Sequence, residues 1–270
     1  MPGQNDFVFT GFAAFAALAV CLAGAGSGCT AGPIEIATLP SDSLSNDLVA
    51  HWAFDDGGGT VVTDSSGNGR TGIVGGILPP PGSPSPWIAG QFMSGYHFTG
   101  ADYVTAGGIP RATPSYSVTA WVQIQPDELG APIANLLSTE TLGGGWALYA
   151  TLGAGQQSYA FRFATNPSQG YVVASCTCVV AGPWTHLAAV VDGGAPTPSL
   201  TLYVNGVATT VPTSGATILP GSTVLYMARS AELTPIFPLT GALDDVAIYD
   251  RALVAEEVAD LSTEAVPNPQ

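Results

Sequence analysis

Carboxylates are the residues of this chain best suited to chemistry, and they are spread unevenly. The stretch 241–261, GALDDVAIYDRALVAEEVADL, holds six of the twenty acidic residues, with Asp244 and Asp245 adjacent between Leu243 and Val246. Glycoside cleavage needs two carboxyl groups about 5–9.5 Å apart and facing one bond. On a regular strand neighbouring residues point to opposite faces, so Asp244 and Asp245 cannot act together, and Asp245 is expected at the surface or an edge. Glu35, Glu128, Glu140 and Glu232 are each isolated from any other glutamate in the sequence. His51, His97 and His186 each lie in or beside an apolar strand segment and read as structural. The DDGGGT stretch at 55–60 lacks the lysine and following helix of a phosphate loop, and reads as a turn. No G-x-S-x-G elbow is present. No catalytic residue is assigned.

Asp244 shares strand phase with Val246 and Ile248, which places it inward if those two face a core. A buried carboxylate must be hydrogen-bonded, paired or metal-bound. With arginine scarce, backbone N–H groups or Ca²⁺ are its natural partners. For ligand contact, Trp87 in PGSPSPWIAG and Trp146 after LGGG lie beside loops, with Tyr96 and Tyr171 as weaker candidates. Trp52, Trp121 and Trp184 sit inside strand segments and read as packing. Cys176 and Cys178 are two apart in VVASCTCVVAG, about 6.5–7 Å between Cα atoms on a strand. They are expected to be buried small hydrophobes, with a strained disulfide as the competitor.

The elements that must hold these residues are strands. YSVTAWVQIQ alternates, putting Tyr116, Val118, Ala120, Val122 and Ile124 on one face. Ten or more short segments of this kind, each bounded by Gly, Pro, Asn or Asp, predict an all-β antiparallel sandwich. Asn205-Gly206 between LTLYV and VATTV predicts a tight hairpin. LVAEEVADL is the sole helix candidate, with Val254, Val258 and Leu261 as its apolar stripe.

Composition narrows the partners. Hydrophobic residues make up 46% of the 270-residue chain, and five arginines with no lysine face twenty acids, a formal charge of -15. Nothing here neutralises a phosphate backbone, so nucleic acid is excluded as a partner. Residues 1–29 read as a signal peptide, apolar from Phe7 to Ala25 and ending in GSGC, with Cys29 the lipidation candidate. That predicts export, to the bacterial cell envelope as an outer-membrane lipoprotein or into the medium, with membrane contact only through the lipid. Residues 30–45 read as a flexible tether, 46–265 as one monomeric domain and 266–270 as a tail.

LVAHWAFDDGGGTVVTDSSGNGRTGIV, YHFTGADYVTAG, YSVTAWVQ, WTHLAAVVDG with LTLYVNGV, and GALDDVAIYDRALVAEEVADL occur in that order. Together they resemble the laminin G-like, concanavalin A-like jelly-roll domains of bacterial secreted proteins. The resemblance implies two curved antiparallel sheets and one short C-terminal helix. Its members include carbohydrate-binding modules, adhesive domains and partners of hydrolases, so it implies no single function. Relatives with laminarinase activity carry Glu-x-Asp-x-x-Glu on one strand, a spacing this chain lacks. Related sandwiches pair their first and last strands, which would bring Asp64 and Asn68 of DSSGNG towards Asp244 as a structural Ca²⁺ site. The expected function is a non-catalytic extracytoplasmic module binding a glycan or an extracellular protein. A glycoside hydrolase or polysaccharide lyase with an unrecognised site, and a purely structural adhesive protein, are the alternatives.

Overall fold

Short alternating segments leave backbone groups that only neighbouring strands can satisfy, and the chain closes them into two sheets. The computed structural model describes residues 41–267 except 79, 81, 111–112, 127–132, 143, 154, 156, 166–169, 215, 217–218 and 232–236. The signal segment, Cys29, Glu35, Glu128 and Glu232 therefore lie outside the described residues. In chain order the strands begin with β1 (Leu48–Trp52), β2 (Val61–Val62), β3 (Gly72–Gly76), β4 (Trp87–Ala89), β5 (Ser94–Thr99), β6 (Asp102–Ala106), β7 (Ser115–Ile124) and β8 (Ala134–Ser138). They continue with β9 (Trp146–Thr151), β10 (Ser158–Ala164), β11 (Tyr171–Cys176), β12 (Trp184–Asp192), β13 (Ser199–Val204), β14 (Val207–Pro212), β15 (Leu225–Met227) and β16 (Thr240–Tyr249). The described helix α1 spans Ala255–Leu261.

The first sheet runs β14-β13-β12-β7-β16-β5-β4, and β1 pairs with the far half of β16. The second runs β11-β10-β9-β8-β15-β6-β3-β2. All pairings are antiparallel, so the expected jelly-roll sandwich is the observed fold. The inner residues of β7 named above meet Leu148, Phe161 and Phe163 of the second sheet in one core. Asn205 and Gly206 both take positive φ, 48° and 77°, the geometry an Asn-Gly hairpin turn demands.

The outward face of the first sheet is also covered. Leu44, Leu48, Val190, Ala247, Tyr249, Leu253, Val258, Leu261 and Val266 form a second cluster beneath α1. Leu44 and Val266, expected in the tether and the tail, thus pack on the domain. Arg251 ties them in: its Nη2 donates to Ser43 O at 2.7 Å, and both Nη atoms reach the Glu257 carboxylate. Val254 stands outside the helical stripe, 52% exposed, and buried Leu253 takes its place. Valine cannot cap a helix, so Glu257 reaches back and accepts the Val254 N–H at 3.0 Å.

Cys176 and Cys178 are joined as a disulfide rather than lying free. β11 ends at Cys176, and the turn after it brings the Cα atoms to 5.3 Å, closer than a continuing strand allows.

Candidate functional site

At the acidic pair the strand rule fails. Asp244 opposes Trp121 of β7, but Ala247 opposes Thr119, so Asp245 and Val246 share the single place opposite Ala120. Asp245 supplies the extra residue by adopting φ 48°, a left-handed conformation that aspartate tolerates better than most residues. Leu243 and Val246 consequently both face the inter-sheet core, and both aspartates are aimed at the outer side of the sheet. Asp245 is 3% exposed rather than at the surface. Its Oδ1 accepts from His51 Nε2 at 2.6 Å and its Oδ2 from the Val266 N–H at 2.9 Å. The same imidazole meets Ser65 Oγ through Nδ1 at 3.0 Å.

Ser65, His51 and Asp245 thus form a serine–histidine–aspartate chain, which sequence reasoning missed. It is a clasp and not a nucleophilic centre. His51 is 1% exposed, so no substrate reaches the imidazole, and Ser65 Oγ also lies 3.1 Å from the His51 carbonyl. The array joins β1, the 64–70 loop, β16 and the C-terminal segment.

The three residues expected to share calcium are placed in separate arrangements. Asp64 Oδ1 accepts from the His51 N–H, the Ser66 N–H and Ser66 Oγ, and its Oδ2 from the Arg70 N–H. Burial pushes its carboxyl up, but the bonds from Ser66, Arg70 and His51 outweigh it and hold the pKa below the usual value. Asn68 donates its amide to the Leu48 and Val49 carbonyls. Asp244 Oδ2 accepts from the Phe92 N–H at 2.9 Å, while its Oδ1 finds no partner among the described residues. Burial raises the Asp244 pKa to about 7. Among the described residues no three His, Cys, Asp or Glu side chains are grouped to hold an ion. With Asp64 saturated by its own turn, the residues do not fit a shared calcium site.

The aromatic candidates also separate. Trp146 is 4% exposed and stacks on Phe161 at 5.6 Å between centroids; Tyr96 is buried against Phe54, Trp87 and Phe98. Neither presents a face to a ligand. Trp87 is half-buried in β4, edge-on to Tyr96, with its Nε1–H donated to Gly59 O, and it lids the core. Tyr171 is different: it is 52% exposed on edge strand β11.

Around Tyr171 the outer face of the second sheet carries aromatic and charged side chains. In β10, Tyr159, Phe161 and Phe163 face the core, which turns Arg162 outward. Its guanidinium lies 4.8 Å from the Tyr171 ring centroid and 5.1 Å from that of Tyr149 on β9. Arg162 Nε and Nη2 hold both oxygens of Glu140 at 2.6 Å, so Glu140 is neither a free acid nor a free nucleophile. Beside this tyrosine–arginine shelf runs a groove of about 350 Å³ lined by Tyr171, Val173, Val211, Pro212 and Thr213. A larger groove of about 600 Å³ is mainly apolar, lined by Ile77, Leu78, Ile88 and prolines together with Ser83, Ser85, His97 and Thr99.

Two antiparallel sheets in this order, with a polar and aromatic outer face, define a concanavalin A-like jelly-roll sandwich. The profile of a laminin G-like family, described as the concanavalin A-like lectin/glucanases superfamily, matches residues 98–259, and the chain belongs to that superfamily. No curated protein sequence matches it. Among solved structures it is similar to domain 4 of an extracellular arabinanase from Geobacillus stearothermophilus in complex with arabinotriose, at 21% identity and TM-score 0.60. That match covers 80% of this chain and 98% of the other. It is also similar to the botulinum neurotoxin serotype D ligand-binding domain in complex with N-acetylneuraminic acid, at 12% identity and TM-score 0.59, over 82% of this chain and 52% of that one. The binding domain of Paraclostridial Mosquitocidal Protein 1 matches at 15% identity and TM-score 0.61, over 81% and 52%. The chain thus spans nearly all of the arabinanase domain but about half of the toxin domains.

Proposed function

We propose that this chain is a non-catalytic binding module that takes a glycan on the outer face of its second sheet. The observation that carries the reading is the Tyr149–Arg162–Tyr171 shelf beside the 350 Å³ groove. Tyrosine rings offer flat apolar surface to sugar C–H faces, and their hydroxyls with the guanidinium offer hydrogen bonds to sugar hydroxyls. Glu140 pins Arg162 in place, so the shelf is organised before a ligand arrives. The arabinotriose and N-acetylneuraminic acid complexes of structural neighbours support a glycan over a protein ligand. Export, with lipidation at Cys29, belongs to this proposal on the strength of the leader sequence.

Native gel electrophoresis through arabinan, xylan, polygalacturonate and alginate tests it. At least one polymer is expected to retard the wild-type protein. Tyr171→Ala should weaken that retardation about tenfold while leaving the melting temperature unchanged, because the ring is half exposed and its loss forfeits about 1–1.5 kcal/mol of contact. Unchanged retardation of the variant would remove the shelf as the site. Sustained release of reducing sugar from any of these polymers would overturn the non-catalytic reading.

A further inference from the structure

A second aromatic–cation arrangement lies on the other half of the same face. The row Val173, Arg162, Ala147, Ser138, Tyr226, Thr105, Ile73, Val61 runs through directly paired residues across all eight strands of the sheet. Its middle is covered: Ser138 and Ala147 are fully buried, and the Ala231 N–H is donated to Ser138 Oγ. Beyond that cover the face opens again, with Ile73 49% and Val61 46% exposed. There Arg229 lies over Tyr103 at 4.5 Å from the ring centroid and over Tyr226 at 5.6 Å. The two tyrosine rings are 6.3 Å apart and inclined by 35°, and together make one floor.

Arg229 differs from the other described arginines. Arg70 is spent on the Val49 and Gly108 carbonyls, Arg162 on Glu140, and Arg251 on Glu257 and two carbonyls. Arg229 makes one long bond among the described residues, from Nε to the neighbouring Ser230 carbonyl at 3.3 Å. The backbone before it is nonetheless fixed. Ala228 before it adopts φ 66°, a conformation that costs an L-residue about 1–2 kcal/mol. That turn is held because the Ala228 N–H donates to Leu136 O and the Ala228 carbonyl accepts from the Leu239 N–H. The held turn sets where the Arg229 side chain leaves the backbone, and the two tyrosine rings receive its guanidinium.

We infer that Arg229, Tyr103 and Tyr226 form a subsite for a carboxylate-bearing sugar, such as a hexuronate unit. This rests on the reading that the face binds glycans, and adds the ligand's charge. Among the described residues the Arg229 Nη atoms have no hydrogen-bond partner, and the edge of a guanidinium matches the two oxygens of a carboxylate. A neutral hydroxyl would use that fork poorly. Ile73, 49% exposed, supplies apolar surface for the sugar's C–H face. The formal charge of -15 opposes an anionic polymer at long range, so attraction on this face rests locally on Arg229, which lacks a carboxylate partner among the described residues.

The test compares polygalacturonate, its methyl-esterified form and alginate in the same affinity gels, alongside neutral arabinan and xylan. Wild-type protein is expected to bind polygalacturonate or alginate, and esterification should weaken polygalacturonate binding about tenfold or more. Arg229→Gln should lose a similar factor on the acidic polymers while keeping any neutral binding, and Arg229→Lys should not restore it, since an ammonium lacks the planar fork. Equal binding of acid and ester by the wild-type chain, or acid binding unchanged in Arg229→Gln, overturns the inference even if a variant folds poorly. Binding of neutral polymers alone, lost in Tyr171→Ala, overturns the acidic subsite and leaves the module reading standing. No retention by any polymer overturns both.

Discussion

Replacing Asp245 by alanine is expected to destabilise the domain by about 3–5 kcal/mol, the cost of breaking a buried, hydrogen-bonded pair from one side. Two partners lose their acceptor at once: His51 Nε2 and the Val266 N–H, both sealed from water. The substitution also places alanine at φ 48°, a conformation it adopts less readily than aspartate. Because Asp245 joins the first strand, the last strand and the C-terminal segment, the loss should appear in global unfolding rather than in local fraying. Urea titration followed by tryptophan fluorescence reads it, since Trp52 and Trp121 are buried beside the clasp. His51→Ala should cost a comparable amount. The double variant should cost clearly less than the two losses added, because the second change removes a partner already orphaned. A loss below about 1 kcal/mol for Asp245→Ala would show that the clasp does not hold the sheet.

The strands were legible because their physics is local. Apolar residues two apart in β7 and an Asn-Gly pair between β-branched runs need no knowledge of the rest of the chain. What escaped depends on longer-range events. The bulge left a trace in the sequence: Leu243, Val246 and Ile248 are spaced by three and then two, which signals one extra residue in an otherwise alternating strand. Strict alternation overlooked that slip, sent Asp245 to the surface and hid its histidine. Trp146 was misplaced for another reason. The glycines before it are where backbones pass closely, since a Cβ on Gly144 would fall 2.3 Å from the Pro220 carbonyl and one on Gly145 2.5 Å from that of Thr139. They serve tight packing and not an open loop. Arg162 between two phenylalanines was readable as an outward residue on a strand. Nothing in the sequence around Arg229 indicates the left-handed alanine before it.

Between about pH 5 and 6.5 the stability of the wild-type domain is expected to change little, because two buried groups on the first sheet titrate with opposite sign. Burial raises the Asp244 carboxyl from 3.8 to about 7, so within that interval the native state keeps a proton that the unfolded chain has released. Its contribution is full below the unfolded pKa and falls as pH rises, by at most about 1.4 kcal/mol per unit. Burial lowers His186 from 6.5 to about 4, so there the unfolded chain holds a proton that the native state lacks, and stability rises with pH. Asp64 and Glu257, held below their ordinary values of 3.8 and 4.5, keep their full contributions above about pH 5 and lose them as pH falls further, which adds to the rising limb at the acid end. Asp244→Asn removes the falling limb while retaining an acceptor for the Phe92 N–H, so the variant's stability should climb steadily up to about pH 6.5. His186→Gln removes the rising limb and should decline throughout the interval up to about pH 7. Urea midpoints measured across this range separate the cases by the sign of the slope, which small errors in either pKa do not reverse. Slopes of the same sign in the two variants would mean that these groups do not carry the compensation.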